Sequence, residues 1–117
     1  MRLQRSDVVL VQFPFSSGVG AKLRPALVVQ SDRNNVRLAN VILAAITSTT
    51  HRVHEVTQVF LDLNTPDAKH SGLLFSSAVT CENLATVELR LVTRVIGKLP
   101  PQIMQQVDDC LRASLQL

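Results

Sequence analysis

The sequence predicts a mainly β fold: a small, partly open β-barrel closed by one C-terminal helix. Short β-branched and apolar runs recur along most of the chain, clusters of Gly, Pro, Asn, Asp and Ser separate them, and the apolar period changes only in the tail. With 117 residues, 46% of them hydrophobic and 18% charged, the chain has enough apolar surface for one core. We read residues 1–117 as a single domain without internal repeats.

The first strand is "DVVLVQF", residues 7–13, which Pro14 and the small residues of "SSGVGAK" break into a loop with two glycines. Arg24 ends that loop, and "PALVVQ", residues 25–30, is the second strand. A polar turn, "SDRNN", leads to a third, "NVILAAIT", residues 40–47. "TQVFLDL", residues 57–63, alternates as a half-buried strand does, and "NTPDAKHSG" is a loop. "GLLF", "AVT" and "LVTRVIGKL" supply shorter extended pieces. Phe13, Phe60 and Phe75 read as core. In the tail Ile103, Val107, Leu111 and Leu115 recur every four positions behind Pro100 and Pro101, the pattern of a helix that packs on the barrel or on a second subunit.

Composition excludes several function classes. The apolar run at residues 8–11 stops at Gln12 and the longest, residues 41–46, is far too short to span a bilayer, so a cytoplasmic protein is expected. Cys81 and Cys110 have neither a pairing framework nor metal-ligand spacing and read as reduced, buried thiols. The net charge of +3 conceals an asymmetry: residues 1–54 carry seven Lys/Arg against Asp7 and Asp32, whereas residues 55–117 carry five against seven acids. A basic half fits a polyanion partner and equally a solvated face.

"SDVVLVQFPF", a Gly/Ser loop, "RPALVV", "AAITS" and "GLLFSSAVTCENLATVE" follow one another in an order and spacing that resembles the MazF/PemK toxin family, from about Ser6 onward. The resemblance implies an SH3-like barrel of the CcdB/MazF type, a homodimer, a cognate antitoxin as partner, and the toxin half of a type II toxin-antitoxin system. It further implies a sequence-specific endoribonuclease that cuts single-stranded RNA by attack of the ribose 2′-hydroxyl, with no metal or other cofactor.

Such a reaction gives Arg24 a task. Negative charge builds on the phosphorus-bound oxygens in the transition state, and a planar, permanently charged guanidinium can bond two of them at once. Pro25 stiffens the strand start from which Arg24 projects. Thr47 matches the family's threonine beside the catalytic arginine, where a hydroxyl can donate to a phosphate oxygen; Ser48 follows it as a candidate contact, and both residue types also serve as turn residues. His51, His54 and Glu55 have chemistry suited to proton transfer but match no family motif, and His70 lies in another loop.

For substrate binding the candidates are Lys22, Arg24 and Arg52 for phosphates, Ser77 for a phosphate, Glu82 and Asn83 for base edges, and Phe15 for stacking. Stacking material is scarce, since the chain has four Phe and neither Tyr nor Trp. Two departures from the family pattern stand out. "SSGVGAKL" lacks the acidic residue that many members carry before the arginine, and Asn83 and Ala85 stand where glutamine and arginine are frequent. Two other functions suit the same architecture: a CcdB-like toxin that binds DNA gyrase, and a catalytically degenerate barrel that only binds its antitoxin.

Overall fold

The computed structural model describes residues 1–12 and 22–117. Strands β1 (Asp7–Gln12), β2 (Leu23–Val28), β3 (Asn40–Thr47), β4 (Gln58–Leu61), β5 (Ser77–Glu88) and β6 (Val92–Lys98) form one antiparallel sheet in the order β4-β5-β3-β2-β1-β6. The edge strands β4 and β6 do not pair with each other, so the barrel is open. Helices α1 (Asp32–Arg37) and α2 (Pro101–Leu115) complete the fold, with 3₁₀ turns at Pro66–Ser71 and Leu89–Leu91. No helix among the described residues is long and apolar enough to cross a membrane.

The strand sequences read as nearly continuous apolar runs because the central strands are buried on both faces. Val8, Leu27, Ala44 and Ile46 face one core, while Val9, Val11, Ala26, Val28, Val41, Leu43 and Ala45 face a second on the other side of the sheet. Helix α2 covers the first core with Ile103, Met104, Val107 and Cys110. Only the front of the expected stripe is fully buried: Leu111 is half-buried and Leu115 is 53% exposed. A four-residue repeat gains about 40° per step on a 3.6-residue helix, so by Leu115 it has rotated off the core, and Met104 and Cys110 take up the contact.

Both thiols are buried and unpaired in any disulfide, as expected. Burial pushes Cys81 up to about 12 and raises Cys110 as well, which keeps both protonated and chemically inert near neutrality. Arg5 fastens α2 to the sheet: its Nε donates to the Val29 carbonyl at 2.9 Å and its Nη2 to Asp108 Oδ1 at 2.6 Å.

The structure corrects several boundaries. "SDRNN" is no simple turn; Ser31 accepts the Asn34 N–H at 3.3 Å and Asp32 sits in the first turn of α1, so this polar cluster caps a short helix. β4 is shorter than expected, at Gln58–Leu61, and part of the "NTPDAKHSG" loop is the 3₁₀ turn. "GLLF" is not a strand, because Gly72 turns the chain at φ 75° and the next strand begins at Ser77. "AVT" is the start of the long β5, which also contains "CENLATVE". Phe75 and Phe60 are not core residues: they are 68% and 44% exposed, Phe75 because it follows that turn and Phe60 because it lies on the outer side of an edge strand. Phe13 lies outside the described residues.

Candidate active site

Arg24 lies within β2, one residue after its start, and not at the end of the preceding loop. Its backbone pairs with Val11 of β1, which fixes where the side chain leaves the sheet. On the other side, the ladder between β2 and β3 begins at Ala26 opposite Ala45. Pro25 has no N–H with which to extend that ladder toward Arg24. Continuing the register past the last pair would set Arg24 opposite Thr47, the final residue of β3. The proline therefore both stiffens the arginine's strand and ends its ladder with β3.

Thr47 is half-buried and its Oγ1 accepts the Thr49 N–H at 3.1 Å. This is the local turn bond its position invites, and because the hydroxyl acts there as acceptor, it keeps its proton for donation. β5 supplies a third wall through a break in register. Ala44 of β3 pairs with Leu84, yet the next residue, Ala45, pairs with Thr80, so Cys81, Glu82 and Asn83 bulge from the ladder. A bulge bends its strand and re-aims side chains, and here it carries Glu82 and Asn83 to the same rim.

Two clefts flank the Arg24–Thr47 ridge. The first, a polar cleft of about 560 Å³, is lined mainly by polar residues, among them Arg24, Thr47, His51, Arg52, Glu82 and Asn83. The second, of about 440 Å³, includes Arg24, Thr47, Ser48, Leu74, Phe75 and Arg94. Ile46 and Thr49 also line both. The polar cleft is internally bonded: Arg52 donates to Glu55 Oε2 through Nε at 3.1 Å and Nη2 at 2.6 Å, and stands 3.6 Å from Glu82. Arg52 holds the Glu55 carboxyl below the usual carboxylate range. The buried Gln58 donates to Glu82 Oε1 at 2.6 Å, while its own Oε1 has no hydrogen-bond partner among the described residues.

Of the residues singled out from the sequence, Arg24, Thr47, Ser48, His51, Arg52, Ser77, Glu82 and Asn83 are brought to these two clefts. Ser77 is buried and its hydroxyl donates to the Phe75 carbonyl at 2.8 Å. Lys22 is exposed just before β2 and lines neither cleft, and Phe15 lies outside the described residues. Sequence reasoning missed Thr49, Gln58 and Arg94, and placed Phe75 in the core. The hydroxyl cluster after Ile46 was a usable signal for Thr49; nothing local marks Arg94, which only the pairing of β1 with β6 brings near. Among the described residues no three His, Cys, Asp or Glu are grouped to hold a metal ion.

Residues 4–115 match the family described as PemK-like, MazF-like toxin of type II toxin-antitoxin system. The chain is 38% identical to Endoribonuclease MazF6 of Mycobacterium tuberculosis over the full length of both, and 30% identical to Endoribonuclease EndoA of Bacillus subtilis, covering all of this chain and 97% of that one. In three dimensions it is similar to the Mycobacterium tuberculosis toxin MazF-mt6, with TM-score 0.76 and 25% identity over 95% of this chain and 97% of that one. A mycobacterial endoribonuclease solved with its cognate antitoxin shares the fold, with TM-score 0.77 and 22% identity over 98% of this chain and 96% of that one.

Proposed function

The chain belongs to the PemK-like, MazF-like toxin family, and from that premise we propose that Arg24 and Thr47 form the centre of its ribonuclease site. The protein is the toxin component of a type II toxin-antitoxin system and an endoribonuclease. Its substrate is single-stranded RNA, its partner an antitoxin, and its working form a cytoplasmic homodimer of the single domain 1–117.

The observation that carries the site assignment is that Arg24 and Thr47 line the same two clefts, at the end of the β2–β3 ladder. In the reaction the 2′-oxygen bonds to phosphorus as its proton leaves, the P–O5′ bond breaks, and the 5′-oxygen takes up a proton. The products are a 2′,3′-cyclic phosphate and a 5′-hydroxyl. Arg24 offers paired N–H donors to the phosphoryl oxygens as charge accumulates on them, and the Thr47 hydroxyl donates a further bond. Neither is a proton carrier under ordinary conditions. His51, on the wall of the polar cleft, is the side chain this reading favours for proton exchange, because Glu82 is already engaged by Gln58 and Arg52.

Arg24, Arg52 and Lys22 contribute to phosphate binding, Ser48 to contacts along the strand, and Asn83 with Glu82 to base reading. An antitoxin with an acidic segment would suit the basic first half of the chain and would inhibit by covering the clefts. A gyrase-binding role is not favoured, since the family and the curated relatives point to RNA cleavage.

The test is incubation of purified protein with a long single-stranded RNA in EDTA, followed by sequencing of the cut ends and assay for 2′,3′-cyclic phosphate. Discrete cuts bearing cyclic phosphate are expected. Intact RNA, or cutting only when a divalent ion is restored, would sink the mechanism.

A further inference from the structure

We propose that Leu74 and Phe75 form a stacking platform for one nucleobase of the RNA, adjacent to the scissile phosphate; the proposal rests on the ribonuclease reading above. Leu74 is 85% exposed and Phe75 68%, and both line the cleft that also contains Arg24 and Thr47. Two consecutive large apolar residues pushed into water need a reason, and here the chain is held in that arrangement. Gly72 makes the turn with φ 75°, so close to the Ile96 carbonyl that a Cβ would lie 2.0 Å from its oxygen. Beyond the tip, Ser76 Oγ accepts the Leu63 N–H at 3.0 Å and Ser77 Oγ donates to the Phe75 carbonyl at 2.8 Å. The platform is anchored on both sides.

Its occupant follows from its surroundings. An aromatic face beside cations matches a nucleotide, whose base stacks while its phosphate meets a guanidinium. Arg24 and Arg94 share the cleft with Phe75, and the cleft is continuous with the proposed reaction centre. An acidic protein segment would also meet these arginines, but it has no flat ring to lay on Phe75, and the antitoxin arm of the test below separates the two. A chain so poor in aromatic rings has few other places to stack a base: of the two phenylalanines described, Phe60 lines neither cleft.

The chain contains neither Trp nor Tyr, so Phe75→Trp introduces a unique fluorophore at the platform. The probe is an oligonucleotide spanning a cleavage site mapped with the wild-type protein, carrying 2′-O-methyl at the scissile ribose. Phe75→Ala should bind it roughly 10-fold more weakly, on the scale of losing one stacked base. Phe75→Trp should bind about as wild type and be quenched on binding. Removing single bases along the probe should weaken wild-type binding sharply at one position and leave Phe75→Ala indifferent there, a coupling that a purely structural role would not produce.

Wild-type affinity of Phe75→Ala, or undiminished sensitivity of that variant to every abasic position, overturns the platform while the ribonuclease stands. A monomeric Phe75→Ala with RNA affinity intact would make the tip a subunit contact, and loss of antitoxin inhibition with RNA binding intact would make it an antitoxin contact. Both outcomes overturn it. A wild-type protein that cuts no RNA removes the ribonuclease reading and the platform together.

Discussion

The two clefts share Arg24, Ile46, Thr47 and Thr49 and are otherwise built differently. In the polar cleft the functional groups are fixed by one another: Gln58 and Arg52 hold Glu82, and Glu55 holds Arg52. In the apolar cleft the backbone does the fixing, through Gly72 and the two serine bonds, and the side chains at the tip are left to solvent. Preset donors and acceptors such as Glu82 and Arg52 can discriminate base edges but add little affinity, because these groups are already bonded before the substrate arrives. An exposed aromatic tip does the reverse, since any base can stack on it. RNA laid across the Arg24–Thr47 ridge would thus be read on one side and gripped on the other.

Removing the shared cation tests this division most severely. Arg24→Ala should lower single-turnover cleavage by roughly 10²-fold or more, about 2.7 kcal/mol of transition-state stabilisation, at every cleavage sequence alike. Arg24→Lys should recover only part of the rate, because a point charge cannot bond two phosphoryl oxygens in a fixed plane. Wild-type turnover from Arg24→Ala would place the chemistry elsewhere.

Gly72→Ala attacks the apolar side alone. The substitution forces a Cβ onto the Ile96 carbonyl at a positive φ, and should cost at least about 2 kcal/mol of folding stability in a denaturant titration. At temperatures where the variant stays folded, cleavage should weaken through binding while its sequence preference persists. A changed preference would mean that both clefts read sequence.

The mainly β architecture was legible because its signal is local: apolar runs, turn residues and one change of period. Arg24 and Thr47 were paired as a candidate site only through the resemblance, since nothing in a linear reading brings residues 24 and 47 together; the register of Ala26 against Ala45 puts them at the same end of their strands. Phe75 was misread for a related reason. "GLLF" has strand composition, but the backbone at Gly72 and the hydroxyls of Ser76 and Ser77 take precedence over the propensity of the three apolar residues between them. The bulge that presents Glu82 and Asn83 leaves no mark in "CENLATVE", because a break in register belongs to the pairing of two strands and not to either alone.

Thr47→Val sharpens the comparison at the ridge itself. The change nearly keeps the side chain's shape and deletes the hydroxyl, so that Thr49 loses its acceptor and the phosphate its donor. A loss of about 10-fold in cleavage rate is expected, the scale of one hydrogen bond to a charged group. If the Thr49 bond were the whole role, folding stability would fall and the rate per folded molecule would not.

The smallest effect is expected from Arg52→Ala, and it is the one that separates reading from gripping. Arg52 is half exposed and its pair with Glu55 is solvated, so folding stability should hardly change. Cleavage should fall only modestly at low salt. The informative quantity is the dependence of RNA affinity on salt concentration. If Arg52 leaves Glu55 to meet a phosphate, the variant releases one counterion fewer and the logarithmic slope falls by about 0.7. If Arg52 instead stays with Glu55 and Glu82 to orient the polar cleft, the slope is unchanged and the cut sites broaden, because Glu82 then loses one of the two side chains that hold it.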